Sequence, residues 1–228
     1  MKAVLFDLDG TLVDQQSAAA AAVVEWAAEY GITGPEVAAR WAETSEKHYS
    51  RYQRRELTFA EQRRARVREF LGVDVDDAAA DEIFVGYVRR YEAGWTVFED
   101  AVPALRRVRA EGLQAVVFSN GNEDHQRFKL DRLGLSPEID VLISGESLPA
   151  GKPDPRAFLQ ALERLRLGVG EVLMVGDSLV KDVRGAQAVG IEAVLVDRYD
   201  VHADAGVRRI RSLHELSVVA ALEGDRAG

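Results

Sequence analysis

Five short apolar runs, residues 3–6, 113–118, 139–143, 172–175 and 191–196, each stop abruptly at polar residues or glycine. Runs of this length, rich in Val, Ile and Phe, read as strands buried on both faces. From residue 97 onward they alternate with helical stretches at 103–110, 123–133, 155–165 and 180–188, three of them closed by Gly112, Gly134 and Gly190. That alternation specifies an α/β fold, a doubly wound, mostly parallel sheet covered by helices on both faces. In such sheets ligands gather at the carboxyl ends of the strands. A short apolar piece near Ile210 and a last helix over 213–222 complete the expected elements.

The alternation is interrupted once. Between the first run and Gly94 the chain shows only helical patterning. Residues 17–30 are alanine-rich and end at Gly31; Pro35 opens a second helix carrying Trp41, His48, Tyr49 and Tyr52; Thr58 and Glu61 stand at capping-box spacing before a third; a fourth covers 76–93. The expectation is a catalytic core of residues 1–14 and 97–228 with an all-helical cap, 15–96, inserted into it. Gly10 to Asp14 then forms the joint on which the cap opens and closes.

Composition narrows the function. The 228-residue chain is 47% hydrophobic, enough for a substantial core, and carries a net charge of −9, unsuited to a general nucleic-acid binder. It has no cysteine, which excludes disulfides, thiolate metal sites and thiol nucleophiles and suits a cytoplasmic location. No apolar run reaches the roughly 18 residues a membrane span needs, and Lys2 followed at once by Asp7 and Asp9 is not a signal peptide. The expected partner is a small phosphorylated metabolite, with neither nucleic-acid polymer nor membrane, and the chain is a monomer or homodimer.

The chemistry is written at the strand ends. The first strand runs into Asp7-Leu8-Asp9-Gly10-Thr11, the second ends at Ser119-Asn120, Gly151-Lys152-Pro153 follows the third, and the fourth ends at Gly176-Asp177-Ser178 with Asp182 beyond. On an extended backbone Asp7 and Asp9 project to the same side, a crowded carboxylate pair that calls for a cation or for acid–base work. Asp7, Asp9 and Asp177 can offer hard oxygens to Mg²⁺, which keeps waters and a substrate phosphate as its other ligands. Lys152 and the metal can neutralise a phosphoryl group, and Ser119 can donate to its oxygens.

These four segments, in this order, resemble the motifs of the haloacid dehalogenase superfamily, in the phosphatase branch whose helical cap follows the first strand. The resemblance covers essentially the whole chain. It implies a Mg²⁺-dependent phosphatase in which Asp7 attacks phosphorus to form an aspartyl-phosphate, and Asp9 protonates the leaving alcohol and then activates water. It further implies phosphate contacts from Ser119, Asn120, Lys152, Gly10 and Thr11. The metal would be held by Asp7, the Asp9 backbone carbonyl and Asp177, with Asp182 acting from a second shell or through water. Halide needs no proton when it leaves, and haloacid dehalogenases lack an aspartate where Asp9 stands; phosphatase is therefore expected over 2-haloacid dehalogenase. A phosphomutase uses the same residues, and a non-catalytic phosphate-binding module would have lost some of them. The phosphomonoester itself is left open among sugar phosphates, phosphoglycolate-like acids and nucleotides.

Two cap features have competing readings. From Lys47 to Glu69 there are eight basic residues (Lys47, Arg51, Arg54, Arg55, Arg63, Arg64, Arg66, Arg68) against three acidic (Glu56, Glu61, Glu69). They read first as solvated helix faces, and otherwise as a positive lid for an anionic substrate. Trp41, His48, Tyr49 and Tyr52 lie near one helix face and read first as core, otherwise as a stacking surface.

Overall fold

The structure, a computed structural model, describes residues 1–217. The chain divides into two compact units, Met1–Val13 with Val97–Gly228, and Asp14–Thr96. The first is built on six parallel strands, β1 (Ala3–Phe6), β2 (Gln114–Ser119), β3 (Val141–Ser144), β4 (Val172–Gly176), β5 (Glu192–Val196) and β6 (Arg209–Ile210), in the order β3-β2-β1-β4-β5-β6. β1 therefore lies inside the sheet, with Phe6 in register with Val117 on one side and Val175 on the other. The order reverses beside β1, the position at which sheets of this kind form their crevice.

All four residues of β1 are fully buried, as a strand covered on both faces must be. Ala3 and Leu5 share a core with Val116, Phe118, Met174 and Leu195, closed by Ala157, Phe158, Ala161 and Leu162 of the helix Pro155–Leu165. Val4, Phe6, Ala115 and Val117, alternating with them, are buried too. Two further α-helices of this unit are Ala101–Ala110 and Glu123–Arg132.

Two elements differ from expectation. Residues 179–188 do not form a plain α-helix: Leu179–Arg184 is wound as a π-helix, with Val183 N reaching Ser178 O at 3.2 Å, before a short α-turn Gly185–Gln187. The wide turn carries Asp182 inward, where its Oδ2 accepts from Ser178 N at 3.0 Å. Instead of the start of a helix at 213, a single 3₁₀ turn, Leu213–Glu215, is found. Ser212 and Glu215 close it as a capping box, and Leu216 leaves it in extended conformation. The rest of the expected 213–222 helix lies outside the described residues from 218 on.

The second unit contains four helices, Gln15–Ala28, Val37–Gln53, Phe59–Leu71 and Asp77–Ala93. Asp14 belongs with them because its carboxylate caps the first, accepting from Ser17 N at 3.0 Å. The capping box of Thr58 and Glu61 is formed. Trp26, Trp41, Phe70, Phe84 and Tyr87 interlock at the centre, the Trp41 ring lying 4.6 Å from that of Tyr87 and 5.1 Å from that of Phe70.

Of the Trp41, His48, Tyr49 and Tyr52 stripe, Tyr49 is half-buried and the other three are interior, with His48 Nε2 meeting Glu69 at 2.7 Å. Most of the basic cluster is paired. Arg54 and Arg51 reach Glu56 at 2.7 and 3.4 Å, and Lys47 reaches Glu69 at 2.8 Å. Arg64 joins Asp77 and Asp81, both at 2.6 Å, and Arg68 joins Asp77 at 2.7 Å. Asp77 and Asp81 lie beyond the window in which the charge was counted, so the excess of cations there is offset by the next helix. Arg63 and Arg66 lie instead over the rings of Phe59 and Trp41, at 4.1 and 4.4 Å.

Candidate active site

β1 ends at Phe6, Asp7 N still bonds the Val175 carbonyl at 2.9 Å, and the chain bends at Leu8 before it reaches Asp9, off the extended path on which both carboxylates were expected to share one side. Asp7 and Asp9 acquire separate cations. Lys152 Nζ, 2% exposed, bonds Asp7 Oδ1 at 2.8 Å, Asp182 Oδ1 at 2.6 Å and the Phe118 carbonyl at 2.7 Å. Lys129 Nζ pairs with Asp9 Oδ1, and Gln126 Nε2 donates to Asp9 Oδ2 at 2.9 Å. The carboxylates that crowd Asp7 are those of Asp182 and Asp177.

Asp7, Asp177 and Asp182 each bring a carboxylate oxygen within 4.8 Å of the others. Burial, and then the Asp182 and Asp177 charges, push the Asp7 carboxyl well above the usual carboxylate range against the pull of Lys152. Burial and the Asp182 charge push Asp177 up to about 7. Burial works to lower Lys152, but the carboxylates of Asp182 and Asp7 outweigh it and hold the ammonium above its ordinary range. One buried lysine faces three carboxylates, and the surplus negative charge is what a hard divalent cation would neutralise.

The other expected residues surround this centre in supporting positions. Thr11 Oγ1 donates to Asp177 Oδ1 at 3.3 Å. Asn120 Nδ2 donates to the Lys152 carbonyl at 2.7 Å, and its Oδ1 accepts from Lys152 N at 2.6 Å, so Asn120 clamps the Lys152 loop. Ser119 Oγ accepts from Gly121 N at 3.1 Å and from Gln126 Nε2 at 2.9 Å, leaving its own proton to donate elsewhere. Gly10 has φ +93°, and a Cβ there would stand 2.3 Å from Asp177 Oδ2. Gly10→Ala is expected to strain the backbone and displace Asp177, lowering stability by about 1–3 kcal/mol and kcat/KM by at least about tenfold. Urea unfolding and phosphate release measured on the same preparations check both effects.

Sequence reading missed Gln126 and Lys129. Both are buried, at 3% and 1% exposure, on the helix Glu123–Arg132, while the neighbouring Phe128 is 45% exposed. The available signal is their spacing with Leu130, which places three buried side chains on one helical face.

A parallel α/β unit with a carboxylate cluster and a buried lysine at the carboxyl ends of its central strands is of the Rossmann-like class. The model of the haloacid dehalogenase-like hydrolases matches residues 1–190, and the chain belongs to that family. Phosphatases are among the curated relatives it matches. The phosphoglycolate phosphatase of Escherichia coli O157:H7 is 30% identical over 206 residues, 85% of this chain and 80% of that protein. The phosphoserine phosphatase of Thermus thermophilus is 43% identical over 118 residues, 51% of this chain, and the match spans less than half of that protein, 45%. Among solved structures, an HAD phosphatase from Thermococcus onnurineus superposes with a TM-score of 0.68 at 29% identity, covering 99% of this chain and all of that one. The HAD-hydrolase YfnB from Bacillus subtilis, at 23% identity, shares the fold with a TM-score of 0.78 over 94% of this chain and 96% of its own. Among the described residues no helix is long and apolar enough to cross a membrane.

Proposed function

We propose that this enzyme is a Mg²⁺-dependent phosphatase that hydrolyses a small, cytoplasmic phosphomonoester through an aspartyl-phosphate on Asp7. The observation that carries the reading is Asp7 itself, a largely buried carboxylate tied to Lys152 in the same cluster as Asp177 and Asp182.

The donor set fits Mg²⁺. Three carboxylates converge, two of them pushed toward protonation by burial and by one another, which is the condition a dication relieves. Asp7 and Asp177 would hold the ion. Lys152 and Ser178 N each hold one Asp182 oxygen, and Asp182 supports the site from behind. When bound, Mg²⁺ supplies charge neutralisation for the phosphoryl oxygens.

The chain's own groups account for the rest. Lys152 holds Asp7 Oδ1, leaving Oδ2 to attack phosphorus. The new O–P bond forms as the ester O–P bond breaks, and Asp9 gives a proton to the departing alkoxide. Asp9 then takes a proton from the water that attacks the aspartyl-phosphate, releasing inorganic phosphate and restoring Asp7. Ser119 donates its hydroxyl proton to a phosphoryl oxygen, and the Lys152 ammonium offsets the charge that develops there.

The deciding experiment is release of inorganic phosphate from a panel of phosphomonoesters, including phosphoglycolate, phosphoserine, sugar phosphates and nucleoside monophosphates, with Mg²⁺ and with EDTA. Turnover of at least one member that stops with EDTA is expected; equal rates in EDTA would refute the reading. Because Asp177 sits at about 7, a proton must leave before the cation binds. Mg²⁺ affinity should therefore climb with pH up to about 7 and then level, with proton release measurable by calorimetry in buffers of different ionisation enthalpy. In the metal-free protein the sign for stability is opposite. The folded chain keeps a proton on Asp177 that the unfolded chain has released, so stability falls as pH rises from the ordinary carboxylate value to about 7, and Mg²⁺ should restore it.

A further inference from the structure

The helix Glu123–Arg132 places a phenylalanine outward and a lysine inward: Phe128 is 45% exposed, and Lys129, one residue on, is 1% exposed. A buried ammonium is tolerated only against a partner that compensates it, and here that partner is the Asp9 carboxylate. Gln126, one turn earlier on the same face, uses both protons of one amide nitrogen on the same region. One goes to Asp9 Oδ2 and one to Ser119 Oγ, each at 2.9 Å. Its Oε1 is buried without a hydrogen-bond partner. With the amide turned over, that oxygen would face the carboxylate of Asp9, so the orientation shown is the one the charges favour.

The backbone makes room for this arrangement. A Cβ on Gly121 would lie 2.1 Å from Gln126 Nε2. Gly121 also donates its N–H to Ser119 Oγ. With Gly121 and Gln126 both donating to it, the Ser119 hydroxyl can direct its proton only outward. Each Asp9 oxygen, for its part, accepts one bond and keeps a second lone pair.

We propose that Gln126 and Lys129 are positioning residues that hold Asp9 and Ser119 in one fixed relation, so that the group handling the leaving-group proton stands beside the hydroxyl that binds the phosphoryl oxygen. This rests on the reading of Asp9 as acid and base given above. Neither residue touches the reacting atoms. Lys129 acts on the Asp9 carboxylate alone, so its effect belongs to the proton-transfer part of the reaction, whereas Gln126 acts on the Ser119 hydroxyl as well.

Leaving-group chemistry tests this. An alkyl alkoxide must be protonated as it departs, whereas p-nitrophenolate leaves without a proton. The variants are Gln126→Met and Lys129→Met, with Gly121→Ala as an independent route that disturbs Gln126 through its amide. Single-turnover alcohol release from an alkyl phosphate is expected to fall about 10- to 100-fold. In Lys129→Met single-turnover p-nitrophenol release should stay within about threefold of the parent, followed by slow breakdown of the phospho-enzyme, and in Gln126→Met and Gly121→Ala it should fall less than alcohol release does. Equal losses on both substrates in all three variants, or no loss on either, would overturn the proposal while leaving an Asp7-dependent phosphatase intact. If the parent enzyme shows no Asp7-dependent turnover of either substrate, the underlying function falls and the proposal with it.

Discussion

Asp7→Asn is expected to cut phosphate release by at least about 10³-fold while leaving the metal-free protein as stable as the parent, or more stable. Asparagine keeps the shape but has no nucleophilic carboxylate oxygen, so the covalent step has no attacking group. It also removes one of three converging carboxylates, one that burial pushes well above its ordinary range. A loss caused by misfolding would lower both measurements together. Phosphate release and thermal unfolding at pH 8 without metal separate the cases, and wild-type activity in the variant would refute the assignment of Asp7.

Lys152→Met should damage stability as well as activity. Lys152 is the cation shared by Asp7 and Asp182, and its removal leaves two largely buried carboxylates facing each other and Asp177. Breaking a buried ion pair from one side typically costs about 3–5 kcal/mol. The pH dependence identifies the cause. Without Lys152 the Asp7 and Asp177 carboxyls are pushed further up, so the folded variant holds protons that the unfolded chain loses near the ordinary carboxylate value. The defect should therefore be small near pH 4–5 and grow as pH rises toward 8, where Mg²⁺ should relieve part of it. A defect independent of pH would mean that lost packing against Phe118 outweighs the electrostatics.

The sheet was legible because apolar runs ending at polar residues leave few alternatives, and the motifs at their ends fell beside the central strand as that topology requires. What failed was local. Periodicity treats Asp7 and Asp9 as one crowded pair because it assumes the strand continues, whereas the chain bends at Leu8 and each aspartate pairs with its own lysine. The helix expected over 180–188 is a π-turn because Asp182 bonds Ser178 N at its own N-terminus, an event between side chain and backbone that composition does not reveal. Lys129 escaped notice for a plainer reason. A lysine next to a phenylalanine on a polar helix is ordinarily the exposed one of the two. Only the acidic partner, 120 residues earlier in the chain, reverses that preference.

The place of β1 has a consequence for how the chain reaches its native state. The strand synthesised first sits between β2 and β4, whose residues begin at Gln114 and Val172. As the polypeptide leaves the ribosome, both edges of β1 wait through the entire helical insertion for a partner, and one waits longer still. Asp7 remains an ordinary hydrated carboxylate during that interval, since Lys152 and Asp182 have yet to appear. The carboxylate cluster around Asp7 is thus assembled by the last long-range pairings of the sheet, the slow part of folding for a chain with distant contacts. No truncated product ending before β4 would carry the reactive centre.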